Sequence, residues 1–375
     1  MIMNKVITIS TTFLVVLISF LGCVNRNEKF DNFDSISFEK QEIFVSHSQH
    51  LLSNNLSFSD LIGEDSLIQY QPSNKTFYLF DLRSKTTSVF LQFSDEGPNF
   101  MENLILDFDS YKGKHYILSQ NFLHIANQNS IIEQRISTNR FNQSPSDGDF
   151  RIHKIQVLNE SSVLTSKWIR AALYSNVIDE PESSIFAELD PLREDFMSLP
   201  IYSPKESQVK NPDLGYFGLS EHYFLKQKCK LIYNFRFSSK IYVFDQCQNQ
   251  LKEFEAKSSQ FSNLKEPLES KFRKDPIKLS EYISSGVNFS SLNYIPKFNL
   301  YARILLESSI DASGKFDVIS YVQLFDDKFK LKEEIKVAKS IGLNIFTDNN
   351  SIYLIPKQEE EGQTKILKYK IRIEP

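Results

Sequence analysis

Residues 67–81 read LIQYQPSNKTFYLFD and residues 231–245 read LIYNFRFSSKIYVFD, and the two segments align without a gap. Each contains two runs of β-forming residues separated by a polar turn, which is the pattern of a β-hairpin. Each then continues past its final Asp into another apolar stretch, at residues 89–93 in the first copy and 251–254 in the second. A gap-free repeat of this kind predicts a fold built from repeated β units.

Weaker copies of the pattern begin at Leu123, Ile185, Tyr321 and Lys365. The last copy has no following strand, and residues 36–45 are a candidate to complete it from the other end of the chain. Six units of four antiparallel strands predict an all-β fold, a six-bladed β-propeller over residues 33–375, because each blade has two apolar faces that only neighbouring blades can cover. A two-sheet sandwich or a pair of smaller β domains is the alternative.

The interval over residues 258–298 is the longest between repeats, and it contains helix-compatible stretches broken by Pro267 and Pro276. Because proline interrupts a helix, we expect a partly helical insertion here rather than one long helix.

The N-terminal residues 1–22 have the layout of a secretory signal, with Lys5 before an uncharged run over residues 6–21. That run is too short to span a bilayer, which takes roughly 20 apolar residues. Leu21-Gly22-Cys23 resembles the lipobox of bacterial lipoproteins, and the resemblance implies cleavage before Cys23 and acylation of its thiol. Residues 23–32 are polar and are expected to form the lipidated tether. An ordinary secreted protein with a chance cysteine is the alternative.

Two or three acyl chains hold a protein stably on a membrane, so the expected membrane partner is reached through lipid. Val24 is not the Asp that retains enterobacterial lipoproteins in the inner membrane, which favours the outer membrane of the cell envelope; the periplasmic and the cell-surface side both stay open. The formal net charge is −4, with no basic stripe, which argues against nucleic acid as a partner.

Taken together, these features resemble the uncharacterised six-bladed propeller-like lipoproteins of Bacteroidetes. The resemblance is carried by the lipobox at Cys23, by the YLFD and YVFD hairpins at Tyr78 and Tyr242, and by the Tyr-rich stretch over residues 294–303. It implies a fold and a location without implying a reaction.

Three pairs of residues are candidates for sites or links. Cys229 and Cys247 flank a hairpin turn and are expected to form a disulfide, with two buried free thiols as the alternative. Trp168 with Arg170, and Tyr301 with Arg303, are candidate ligand contacts for a sugar, peptide or anion. The alternatives are a core position for Trp168 and an ion pair between blades for Arg303.

Catalytic and metal motifs are not apparent in the sequence. Of the six histidines only His47 and His50 have a metal-like spacing, and they lack further ligands. Asp81 and Asp245 match a glycosidase pair in type, but their place in the repeat favours a role in turns. We therefore expect no catalytic residue, metal or cofactor, and a binding module for an envelope protein, small ligand or glycan. An envelope hydrolase acting on a glycan or lactone is the alternative.

Overall fold

The computed structural model describes residues 35–46, 59–63, 65–138, 150–169, 184–202, 214–215, 222–259, 266, 268–272, 275–310, 316–337, 341–356 and 363–374. The expected signal peptide, the tether with Cys23, and Arg170 lie outside these residues. Among the described residues, no helix has the length and apolarity needed to cross a membrane.

Six sheets of at least four antiparallel strands follow one another along the chain, which confirms the six-bladed β-propeller. Blade one contains β2 (Ser59–Ile62), β3 (Ser66–Gln71), β4 (Thr76–Asp81) and β5 (Thr86–Gln92). Blade two contains β6 (Ile105–Tyr111), β7 (Lys114–Ser119), β8 (Phe122–Asn127) and β9 (Ile132–Ser137). Blade three contains β10 (Phe150–Asn159), β11 (Ser162–Ile169), β12 (Phe186–Asp190) and β13 (Asp195–Ser198).

Blade four contains β15 (His222–Gln227), β16 (Lys230–Phe235), β17 (Ile241–Asp245) and β18 (Gln250–Phe254). Blade five contains β20 (Gly286–Phe289), β22 (Leu300–Ile310), β23 (Phe316–Phe325) and β24 (Leu331–Val337), and a short extra strand, β21 (Asn293–Ile295), pairs with β22. A two-stranded sheet outside the blades pairs β14 (Leu214–Gly215) with β19 (Leu268–Glu269).

Blade six joins the two ends of the described chain. Its first three strands are β25 (Ile341–Thr347), β26 (Ser351–Pro356) and β27 (Gln363–Glu374), and β1 (Ser35–Ser46) pairs with β27 as the fourth. This confirms the expected role of residues 36–45 in completing the last unit. All six repeat segments in the sequence contribute the third strand of a blade, namely β4, β8, β12, β17, β23 and β27.

The expected helical insertion is much smaller than the sequence suggested. Its described part contains one α-helix, α1 (Pro276–Ser284), and 3₁₀ turns at Ser270–Phe272 and Pro296–Phe298. Pro276 begins α1 instead of breaking a helix. The N–H groups of the first helical turn have no acceptor within the helix, so the N–H that proline lacks is not missed there. Other described residues of the expected insertion form β19 outside the blades and β20 and β21 of blade five.

Apolar side chains fill the space between neighbouring blades. Between blades one and two, the rings of Phe77 and Phe108 lie 5.5 Å apart, and both are buried. Between blades three and four, the rings of Phe186 and Tyr233 lie 5.1 Å apart. Each blade therefore covers the face of the next, as a closed ring of repeats requires.

The connections divide the propeller into two faces, because successive strands of a blade alternate in direction. One face, here called the short-turn face, carries the turns from first to second and from third to fourth strands, and these are two to five residues long except in blade five. The opposite face, here called the long-connection face, carries the connections between blades. Five of these six connections span 12 residues or more, among them 93–104, and the two longest span 23 and 31 residues, at 199–221 and 255–285.

Candidate functional site

The first strands of the blades lie against one another around the centre of the ring and line its channel. Side chains of one first strand bond to the backbone of the next. Gln156 of β10 accepts from the Lys226 N–H of β15 at 2.8 Å and donates to the Lys226 carbonyl at 3.4 Å. These bonds use backbone groups at the free edge of β15, which would otherwise be without partners.

Two carboxylates make the equivalent link between blades two and three. Asp107 Oδ2 accepts from the Ile155 N–H at 2.7 Å, and Asp109 Oδ2 accepts from the Val157 N–H at 2.6 Å. Phe108 lies between the two acids and points to the opposite side, into the interface with blade one. Strand alternation on β6 therefore directs both acids toward β10.

A third carboxylate, that of Asp60 on β2, joins this group. Asp60 and Asp107 interact electrostatically, and His153 and Lys154 of β10 supply the nearby positive charge. These five residues from three consecutive first strands are here called the channel cluster: Asp60, Asp107, Asp109, His153 and Lys154.

Burial shifts the acid pKa values of the channel cluster upward. Burial, reinforced by the charge of Asp107 and opposed by Lys154, raises the pKa of Asp60 to about 7. Burial also raises the pKa of Asp109 to about 6, against the hydrogen bond from the Val157 N–H, and it raises the pKa of Asp107. Near pH 7 Asp60 is thus partly protonated, unlike an ordinary Asp side chain, and together with Lys154 it supplies hydrogen-bond donors beside the carboxylate acceptors.

The channel cluster combines charged groups with an aromatic neighbour, a combination that can bind a polar ligand. The ring of Tyr223 on β15 lies 6.4 Å from that of His153, which adds an aromatic surface beside the charged groups. Within the described part of the chain, no group of three or more His, Cys, Asp or Glu is placed to hold a metal ion. A polar ligand with hydroxyl or amino groups is the kind that such an arrangement can hydrogen-bond.

Tyr301 and Arg303, expected as ligand contacts, are both buried within the propeller instead. Tyr301 donates from its hydroxyl to Gln227 Oε1 at 2.6 Å, which joins blade five to blade four. Arg303 has no exposed surface, and its guanidinium lies 4.2 Å from the centre of the Phe289 ring. β22 is an inner strand of blade five whose residues 301–306 are all buried, on both faces of the strand, so both side chains take part in packing rather than lying open to a ligand.

Arg303 takes part in a hydrogen-bond chain that joins blade five to the connection after blade four. Its Nε donates to Gln323 Oε1 at 2.8 Å, its Nη2 donates to the Ala256 carbonyl at 2.6 Å, and Gln323 Nε2 donates to Glu334 Oε2 at 2.6 Å. Burial lowers the pKa of the guanidinium, and the charge of Glu334 opposes that shift. The charge of Arg303 is therefore balanced indirectly by an acid of the same blade, not by one between blades.

The other expected contacts fall partly or wholly outside the described structure. The backbone of Trp168 lies in β11 opposite Arg151 of β10, while its side chain and all of Arg170 lie outside the described residues. A ligand platform at these two residues stays a prediction.

Cys229 and Cys247 are joined by a disulfide in the structure, with Cα atoms 5.6 Å apart. The bond links the two turns of blade four on the short-turn face, which are otherwise held by the hydrogen bond from the Gln246 N–H to the Cys229 carbonyl.

Asp81 and Asp245 hold turns, as the repeat indicated. Asp81 Oδ1 accepts from the N–H groups of Arg83 and Ser84, both at 2.8 Å. Asp245 accepts in the same way from two N–H groups of the next turn. Polar residues at the ends of β8, β12 and β23 form the corresponding bonds, namely Asn127, Asp190 and Asp326. The two acids lie in different blades, which excludes them as a pair flanking one bond.

A buried Ser119–His124 contact resembles a nucleophile with its base, but the protons are arranged the other way. Ser119 Oγ lies 3.0 Å from His124 Nε2, and Arg135 Nε donates to His124 Nδ1 at 3.2 Å. Since Nδ1 accepts, the neutral ring carries its proton on Nε2 and donates it to Ser119, which in turn donates to Glu102. Burial and Arg135 lower the pKa of His124 to about 4, so the imidazole has little basicity left for activating the serine.

A cleft of about 500 Å³ lies on the outside of the ring, where blade six meets blade one. It is lined by β1 and by the turn after β4, with Ile43 and Leu82 as apolar lining and Arg83, Lys85 and Lys368 as cations. Arg83 is paired with Asp65 at its side. The cleft is separate from the channel cluster.

Sequence reasoning missed the channel cluster. Asp60, Asp107 and Lys154 come from three different repeats and share no motif. The one local signal is the alternation Asp107-Phe108-Asp109, which places two acids on the same side of a strand beside a core aromatic residue.

Comparison with known proteins shows the fold and no more. No family model matches the sequence, and no curated protein matches it. The structure is similar to that of a member of the DUF4221 family from Bacteroides vulgatus, with 12% identity, a TM-score of 0.71, and coverage of 92% of this chain and 100% of that chain. It is also similar to a protein of Bacteroides fragilis whose export is a prediction, with 12% identity, a TM-score of 0.52, and coverage of 90% of this chain and 96% of that chain.

Proposed function

We propose that this chain is a lipid-anchored binding module of the cell envelope that takes a polar ligand into the central channel. The observation that carries the proposal is the channel cluster, in which ionisable groups on three consecutive first strands interact electrostatically. Grouped charges with both donors and acceptors suit a ligand bearing hydroxyl or amino groups, such as a glycan fragment or the side chains of an envelope protein.

The envelope location and the anchor rest on features outside the cluster. The lipobox-like Leu21-Gly22-Cys23 supports acylation at Cys23, with the outer membrane as the destination. The Cys229–Cys247 disulfide supports an oxidising compartment, because such bonds persist outside the cytoplasm. The predicted export of the structurally similar protein from Bacteroides fragilis is in keeping with this location.

Capture of ligand by matched variants tests the binding function. The full chain carrying Cys23→Ala, and the same chain with Asp60→Asn, are immobilised and exposed to detergent-solubilised envelopes of the source organism and to their released glycans. We expect material retained by the first protein and lost from the second, while Asp81→Asn retains it, since Asp81 holds only a turn. Equal retention by the Asp60→Asn protein would overturn a channel site.

Metabolic labelling tests the anchor separately. Radiolabelled palmitate is expected in the wild-type protein and absent from Cys23→Ala. Label in both proteins, or in neither, would refute acylation at Cys23.

A second function, hydrolysis of a glycan or lactone, is favoured by one observation. Asp60 and Asp109 have raised pKa values of about 7 and about 6, the range of a general acid. Asp107 and Asp109 nevertheless accept backbone N–H groups, as linking carboxylates do. Release of reducing ends from envelope glycans by wild type, and its loss in Asp60→Asn, would establish hydrolysis in place of simple binding.

A further inference from the structure

The chain enters the propeller at the short-turn face. As the fourth strand of blade six, β1 runs from the short-turn face toward the long-connection face, so Ile36 lies at the short-turn face. As the third strand of the same blade, β27 runs the opposite way, so Arg372 lies near the short-turn face as well. The chain therefore enters and leaves the propeller at the same end of the ring.

The short-turn face also carries exposed groups that suit a lipid headgroup region. Leu192 and Arg193 form the tip of the turn between β12 and β13; Leu192 is 73% exposed, and the Arg193 side chain is 82% exposed. Ile131, at the corresponding turn of blade two, is 49% exposed. Exposed apolar tips are typical of positions at a membrane interface, and the Arg193 side chain beside them is paired with Asp190 at 3.6 Å.

We propose that the short-turn face lies against the lipid bilayer surface, with the long-connection face turned away from it. The inference rests on the proposed anchor at Cys23. Residues 24–34, which separate Cys23 from β1, reach at most about 40 Å when fully extended. The strands that separate the two faces are roughly 20 Å long. If the long-connection face lay on the bilayer, the tether would have to cover this distance before it reached the lipid, whereas with the short-turn face on the bilayer it starts at the membrane surface.

This orientation assigns the two faces to different partners. The membrane meets the short, regular turns, and a soluble ligand or protein approaches from the side of the long connections. The channel is then entered from the long-connection face.

Contact quenching in liposomes tests the orientation. Azidophenylalanine replaces either Arg193, on the short-turn face, or Glu96, an exposed residue of the connection between blades one and two on the long-connection face, and each is coupled to the same dye. The acylated full chain is reconstituted in liposomes containing phosphatidylcholine spin-labelled on its headgroup. Stronger quenching at position 193 than at position 96 is the expected result; equal quenching, or stronger quenching at 96, would overturn the proposal.

A second preparation separates this proposal from the anchor itself. The chain beginning at Cys23 is coupled through that thiol to maleimide lipid, since Cys229 and Cys247 are already bonded to each other. If palmitate labelling fails in cells while the coupled protein shows the expected quenching, the anchor is refuted and the preference of the propeller for this face stands. If labelling succeeds and quenching does not differ, the orientation alone is refuted.

Discussion

Replacing Asp60 by Asn is expected to stabilise the protein at neutral pH and leave its stability unchanged in acid. Burial raises the pKa of Asp60 from its ordinary value of 3.8 to about 7. Between these values the folded protein holds a proton that the unfolded chain has released. The contribution of Asp60 to the free energy of unfolding is therefore fully present below pH 4 and is lost as the pH rises through 7.

The size of the effect follows from the pKa shift. One pKa unit corresponds to about 1.4 kcal/mol, so a shift from 3.8 to about 7 sets an upper bound of roughly 4 kcal/mol. Asp60 is partly exposed, and solvent screening reduces the penalty on its ionised form below this bound. We expect Asp60→Asn to gain about 2 kcal/mol at pH 8 after that reduction.

Urea unfolding at half-unit steps from pH 4 to pH 8, followed by intrinsic fluorescence, measures the difference between the variant and wild type. The matched control is Asp81→Asn. Backbone N–H groups of Ser84 and Arg83 lower the pKa of Asp81, so its ionised form favours the fold and its replacement gives no gain at high pH. A difference for Asp60→Asn that stays flat across this range, or is largest at pH 4, would refute the electrostatic account of the channel cluster.

Three further changes test other parts of the structure. Asp107→Ala leaves the Ile155 N–H without its partner and is expected to lower the free energy of unfolding by about 1–3 kcal/mol in urea titrations, whereas Asp107→Asn retains most of it. Replacing both Cys229 and Cys247 by Ser removes a crosslink between residues 18 apart in sequence and is expected to lower the free energy of unfolding by about 3 kcal/mol. A reducing agent should then lower the stability of the wild-type protein and leave that of the variant unchanged. Arg303→Met removes a buried cation that holds a hydrogen-bond chain, and a loss of about 3 kcal/mol or more should appear as a lower Tm.

The fold was predictable because the repeated segments are the third strands of the blades, where burial and the following turn both restrict which residues can occur. Third strands such as β4 and β17 are covered on both faces by neighbouring blades, and each ends in an Asp that holds the following turn. Apolar residues followed by a polar residue that holds the turn therefore recur at the same positions of the blades, and this recurrence can be read from the sequence. The completion of blade six by β1 followed from the missing strand after the last repeat.

The site was not predictable in the same way. The first strands have no shared pattern, since each forms a different side-chain link to the next blade, by Asp107 in one case and by Gln156 in another. The meeting of Asp60 with Lys154 depends on the packing of three consecutive blades, which brings together residues that are distant in sequence. Nothing in the sequence around Arg303 indicates that Gln323 of β23 and the Ala256 carbonyl, in the connection after blade four, accept hydrogen bonds from its guanidinium.

The pairing of β1 with β27 sets the order in which the protein can fold. Strands within blades one to five are neighbours in sequence and can pair as soon as each blade is synthesised. The pairing that completes blade six joins residues 35–46 to residues 363–374, so it must wait for the end of the chain and carries the largest loop-closure entropy in the molecule. A circular permutant that moves residues 35–46 to follow residue 374 makes this pairing local, and its slowest refolding phase should be faster than that of the natural order in stopped-flow refolding.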